Sequence, residues 1–101
     1  MKTVTLCGSM RFEKEMQEIA LMLELDYGFN VLQSVYNPAD RAIGKAEKTV
    51  LVAAHNQKIA MSDYVYVVDV DGYVGQSVKE EIEFARQNNK EIIYHSVFMA
   101  E

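Results

Sequence analysis

The chain has 101 residues, 50% of them hydrophobic and 25% charged, which is ordinary globular usage for one small domain that buries about two-thirds of its unfolded surface. A formal net charge of -5 at pH 7 argues against non-specific binding to nucleic acid or to an anionic membrane, since either needs a basic patch. A single cysteine excludes an intrachain disulfide and no apolar run is long enough to span a bilayer, so a reducing, cytoplasmic location is the expectation.

In chain order, residues 3 to 7 (Thr-Val-Thr-Leu-Cys) predict a short strand, broken by Gly8-Ser9. Phe12, Met16, Ile19, Ala20 and Leu23 then recur at one-face helical spacing over residues 12 to 26, and Gly28 suits the left-handed position that ends such a helix. Phe29 to Val35 predicts a second strand. Asn37-Pro38-Ala39-Asp40 reads as a turn, because proline pushes the preceding residue out of the helical region. After a loop around Gly44, a long helix is expected from Lys45 to Met61, with Val50, Leu51, Ala54 and Ile59 facing inward and Ser62-Asp63 closing it.

Tyr64 to Val70 is a near-continuous β-branched and aromatic run, the pattern of a central strand of a parallel sheet, buried on both faces. Ser77 is expected to cap the next helix, with Glu80 completing a capping box and Val78, Ile82 and Ala85 forming the buried stripe. Asn88-Asn89 ends that helix, and Glu91 to Ser96 is the last strand.

Alternating strands and helices of this kind predict one domain over residues 1–101. The expected architecture is a small three-layer α/β fold, Rossmann- or flavodoxin-like, whose mainly parallel sheet of about four to five strands has the order 2-1-3-4. Ligands of such sheets bind beyond the carboxyl ends of the strands where the order reverses, here strands 1 and 3. Two loops leave those ends: Gly8-Ser9-Met10-Arg11 and Asp69 to Ser77.

The first loop offers backbone amides at a helix N-terminus, a glycine permitting close approach, the Ser9 hydroxyl and the Arg11 guanidinium, a set that suits a phosphate. The second carries Glu81 one turn into its helix, bordering the buried stripe. A carboxylate at a crevice can attack an electrophilic sugar carbon, as in retaining glycoside cleavage. That chemistry usually needs a second group, for which Asp69 is the candidate, with Asp71 better explained by the Asp-Gly turn. His55 can contribute from the side, Tyr73 can stack on a base, and Ser77 can touch the phosphate. Cys7 reads as a buried small apolar residue with no evident histidine partner, and the composition lacks the Cys/His clusters of a structural zinc site.

The segments CGSMRF and SDYVYVVDVDGYVGQSVKEEIEFA resemble the nucleoside 2-deoxyribosyltransferase-like superfamily, which includes nucleoside 2-deoxyribosyltransferases and 2-deoxynucleoside 5-phosphate N-hydrolases. The resemblance spans nearly the whole chain, and Cys7-Gly8-Ser9-Met10-Arg11 is closest to the hydrolase branch, where this loop holds the 5′-phosphate. The family's Glu-x-Gly-x-Ala helix matches Glu81-Ile82-Glu83-Phe84-Ala85, which implies Glu81 as nucleophile. Departures are Glu83 for that glycine, His55 and Gly75 at positions where active relatives often carry Asp, and Phe12 where the hydrolases have Gly.

The resemblance implies an N-glycosidase or deoxyribosyl-transfer enzyme. Glu81 attacks the sugar, with Asp69 as second acid. Gly8, Ser9, Met10, Arg11, Tyr73, Gly75, Ser77 and His55 hold the nucleoside or nucleotide, and no cofactor or metal is needed. The alternatives are a non-catalytic nucleotide-binding module and a small assembly scaffold. Six Met and six Tyr in so short a chain suggest apolar surface left for a homodimer or higher homo-oligomer.

Overall fold

The computed structural model describes residues 1–100. Four strands, β1 (Thr3–Cys7), β2 (Asn30–Leu32), β3 (Tyr64–Val67) and β4 (Glu91–Tyr94), form one all-parallel sheet in the order β2-β1-β3-β4. The helices are α1 (Glu13–Tyr27), α2 (Lys45–Met61), α3 (Gln76–Gln87) and the short α4 (His95–Phe98). The expected α/β architecture and strand order are those observed.

Alternation along the central strands sorts side chains onto two faces. Val4, Leu6, Tyr66 and Val68 join Met16, Ile19, Ala20 and Leu23 of α1 in one core layer. Cys7, Val65 and Val67 join Ile59 of α2 and Val78, Ile82 and Ala85 of α3 in the other. The carboxyl ends of β1 and β3 lie side by side, with Cys7 opposite Val67, so the loops that follow them share one end of the sheet.

Several elements differ from expectation. Strand β2 has three residues rather than seven, because it pairs only with β1 and the register ends at Thr5 and Leu32. The chain then leaves the sheet, where Lys58 Nζ donates to the Gln33 carbonyl at 2.9 Å. Strand β4 stops at Tyr94 because Asp69 accepts from the Ser96 amide and hydroxyl at 2.8 and 2.6 Å, stabilising the turn of α4 instead. Ser77 is not the cap of α3: Gly75 is, without a side-chain bond, and Ser77 lies inside the first turn. Glu80 instead accepts from the Gln76 side chain at 3.5 Å. One half of a capping box occurs at α2, where Glu47 Oε1 accepts from the amide of the N-cap residue Gly44 at 3.1 Å.

The inward face of α2 also differs. Residues 45 to 54 are all exposed, including Val50, Leu51 and Ala54; burial begins at His55 and continues through Ile59. Only the C-terminal part of this helix packs on the sheet, so its buried stripe begins with a histidine rather than with the apolar run. Gly28 does end α1 in the left-handed region, with φ 72°.

Candidate active site

Two cavities meet at the carboxyl end of β1 and β3, and Glu81, Met10 and Ser34 line both. The first, of about 300 Å³, has an apolar wall from Val35, Ile43, Leu51 and Val52 and ends on His55. The second, of about 310 Å³, is lined by Gly8, Ser9 and Met10 on one side and by Tyr73, Gly75, Gln76, Ser77 and Val78 on the other. Both fall at the small end of the range for small-molecule sites.

The two expected loops therefore do converge, but their roles are redistributed. The first does not run straight into a helix: residues 10 to 12 make a single 3-10 turn. Ser9 Oγ accepts from the Arg11 amide at 3.3 Å, and Glu13 and Glu15 occupy the first turn of α1. Carboxylates there compete with an incoming anion for the positive end of the helix. At α3 the situation reverses: the helix has no side-chain cap and no acid in its first turn, and Gln76, Ser77 and Val78 border the cavity. The α3 terminus is the better anion cradle.

Gly8 has a packing role as well. A Cβ there would lie 2.8 Å from Met16 Sδ and 3.0 Å from Val68 Cβ, so the loop sits directly on the core. Arg11 leaves the cavity wall and lays its guanidinium carbon 3.9 Å from the centre of the Tyr73 ring. That ring also meets Phe12 edge-on at 5.9 Å, and Tyr73 Oη is 3.3 Å from where a Gly75 Cβ would stand. Phe12 is buried in the core and fixes one edge of Tyr73.

Glu81 is half-buried at the junction of the cavities, whereas its neighbours Glu80 and Glu83 are exposed. Burial lifts its carboxyl to about pH 7; a hydrogen bond with the Cys7 thiol opposes that rise and the Glu80 charge adds to it. Beside it, His55 Nε2 stands 3.7 Å from Glu81 Oε2 and 3.4 Å from Cys7 Sγ, and His55 Nδ1 stands 3.4 Å from Ser34 Oγ. Burial, with the nearby Lys58 charge, lowers the imidazole to about 4. At neutral pH the His55–Glu81 contact therefore joins a neutral ring to a carboxyl near its midpoint; it is not an ion pair. Burial and the Glu81 carboxyl raise the Cys7 thiol well above its usual range.

The sequence reading missed this partnership: Cys7 does have a histidine partner. The available signal was strand parity, since Cys7 shares its face with Val65 and Val67 and thus faces α2 and α3. Ser34 was also missed, because the predicted second strand would have placed it within the sheet. Asp69 is not brought to Glu81. It is 8% exposed and committed to Ser96, and it lines neither cavity. Among the described residues, Glu81 is the sole carboxylate lining these two cavities.

No protein-family model and no curated protein matches the sequence. Solved structures do. The 2-deoxyribosyltransferase of the psychrotolerant bacterium Bacillus psychrosaccharolyticus superposes with a TM-score of 0.69 at 13% identity, covering 91% of this chain and 70% of that one. The CMP N-glycosidase BcmB of Clostridium botulinum superposes with a TM-score of 0.60 at 23% identity, covering 92% and 70%.

Proposed function

The chain has the fold of nucleoside 2-deoxyribosyltransferase-like proteins, and on that basis we propose that it cleaves the N-glycosidic bond of a nucleoside or nucleotide through Glu81. The observation that carries this reading is the position of Glu81: a half-buried carboxyl at the junction of an apolar cavity and a cavity bordered by the uncapped N-terminus of α3. The sugar spans that junction, a 5′-phosphate meets the α3 amides and Ser77, and the Ser9 hydroxyl completes the cradle. In the first step a Glu81 oxygen bonds C1′ while the C1′–N bond breaks and the base leaves with its electron pair. In the second, water or another base attacks C1′, the bond from C1′ to the Glu81 oxygen breaks, and the proton lost by the attacker neutralises the departed base.

Incubating the protein with a panel of nucleosides and nucleoside monophosphates, with free base followed by chromatography, tests the reading. Base release abolished by Glu81→Gln is expected; no release above that variant overturns it.

A second reading has its own support. With Asp69 committed to Ser96, no second acid among the described residues lines the cavities, which favours a module that binds nucleotide without turnover. It predicts thermal stabilisation by nucleotide, about 2.7 kcal/mol at a hundred times the dissociation constant, with no base released.

The reading also includes a homodimer in a reducing compartment such as the cytoplasm. Leu51 and Val52 are exposed side by side on α2, at 42% and 47%, and Ile43 and Val35 line the same cavity. A second copy covering this face would enclose the apolar wall of the site. Among the described residues, no helix is long and apolar enough to cross a membrane.

A further inference from the structure

We propose that Cys7, His55 and Glu81 together bind one borderline-soft divalent cation, zinc above all, at the floor of the crevice. The thiol sulfur, an imidazole nitrogen and a carboxylate oxygen of these residues lie within 4.8 Å of one another, with Sγ to Nε2 at 3.4 Å and Nε2 to Oε2 at 3.7 Å. In a tetrahedral zinc site, with Zn–S about 2.3 Å and Zn–N about 2.0–2.1 Å, sulfur and nitrogen are roughly 3.5 Å apart. The sulfur–nitrogen pair already has the spacing that such an ion imposes and the nitrogen–oxygen pair is slightly wider, so loading draws Glu81 inward.

The supporting framework fits as well. The donors come from the end of β1, from α2 and from α3, so three packed elements hold them. Ser34 Oγ at His55 Nδ1 leaves Nε2 as the nitrogen facing the thiol, the arrangement that orients a ligating imidazole. One sulfur, one nitrogen and one oxygen suit zinc or cobalt and disfavour magnesium and calcium, which prefer oxygen alone. Cys7 is fully buried, while His55 and Glu81 line the cavity walls, so a fourth ligand enters from the cavity side. A thiolate and a carboxylate together neutralise a divalent charge, which makes the burial tolerable.

Loading forms the metal–sulfur bond and releases the Cys7 proton to solvent, together with the Glu81 proton where the carboxyl carries one; nothing is oxidised or reduced. The inference does not depend on glycosidase activity. Because coordination takes up a Glu81 oxygen, the loaded protein is a form in which the proposed nucleophile is blocked.

The test is titration of chelator-treated protein with cobalt(II), followed by absorption. We expect a thiolate-to-cobalt charge-transfer band in the near ultraviolet and intense four-coordinate bands in the visible, saturating at one ion per chain and bleached by zinc. Cys7→Ser removes the charge-transfer band, and His55→Gln weakens binding about 10-fold or more. Proton release by the wild-type chain on zinc addition, read with an indicator dye, gives a measurement that needs no variant. Absence of both the charge-transfer band and proton release in folded wild-type protein overturns the site, as does an unchanged titration in folded Cys7→Ser. Base release assayed separately on metal-free protein distinguishes failure of this site from failure of the glycosidase reading.

Discussion

Cys7 Sγ and His55 Nε2 lie 3.4 Å apart although 48 positions separate them in the chain. The contact exists because β1 delivers its last side chain to the α2–α3 face and α2 turns its first buried residue toward it. Glu81 closes the group from α3. The site is thus a junction of three elements, and each member alters the proton affinity of the others or the space around them.

Glu81→Gln keeps the shape of the side chain and removes its nucleophilic oxygen. Base release is expected to fall by about 100-fold or more. With the Glu81 carboxyl lifted to about 7 by burial, kcat/KM of the metal-free wild type rises about tenfold per pH unit below 7 and levels off above it, because the ionised form attacks. A profile flat from pH 5 to 8 would remove Glu81 from the reaction.

Stability carries the opposite signature. Glu81 moves from 4.5 to about 7 on folding, so the folded state holds more protons between those values and stability from this group falls as pH rises through that window. His55 moves from 6.5 to about 4, so the unfolded state holds more protons there and stability from this group rises with pH. Each effect is about 3 kcal/mol over its window, and between pH 4.5 and 6.5 they nearly cancel. In metal-free protein, Glu81→Gln unmasks a rise in the urea midpoint with pH and His55→Gln unmasks a fall. Parallel profiles for wild type and both variants contradict the assignment.

Asp69→Ala should act on folding and not on chemistry. It removes the acceptor of two hydrogen bonds at Ser96, a loss of about 2–3 kcal/mol for bonds to a charged group. Denaturant unfolding gives the stability change. Base release per folded molecule stays within about twofold of wild type; a loss matching that of Glu81→Gln would restore Asp69 to the reaction.

Gly8→Ala tests whether the first loop is pinned by packing. The added methyl meets Met16 Sδ at 2.8 Å and Val68 Cβ at 3.0 Å, an overpacking that costs about 1–3 kcal/mol. In a Met16→Ala background, where the truncation itself costs about 2–5 kcal/mol, the cost of Gly8→Ala recovers in part, read by urea unfolding as a double-mutant cycle, because the sulfur is then gone. No recovery would place the strain elsewhere.

Val52→Lys puts a charge on the exposed apolar stripe that Leu51 and Val52 form on α2 at the cavity wall. Light scattering coupled to size exclusion is expected to show a dimer for wild type and a monomer for the variant. Identical masses rule this face out as the contact.

The strand runs at residues 3 to 7 and Tyr64 to Val70, the helical spacing over residues 12 to 26 and in Val78, Ile82 and Ala85, and the breaks at Gly8-Ser9 and Gly28 were enough to read the strand order and to bring two loops to one crevice. Such signals are local, and burial acts on them locally. The partnership of Cys7, His55 and Glu81 is not local: it depends on where α2 crosses the sheet. The apolar run Val50 to Val52 points the periodicity of α2 to the wrong face, because apolar side chains left exposed look the same in sequence as those buried in a core. Likewise Asp69 resembles a catalytic acid at a strand end until the turn of α4 packs close enough to claim both its oxygens. Local patterning thus determined the frame and one member of the site, Glu81; long-range packing alone decided what stands beside it.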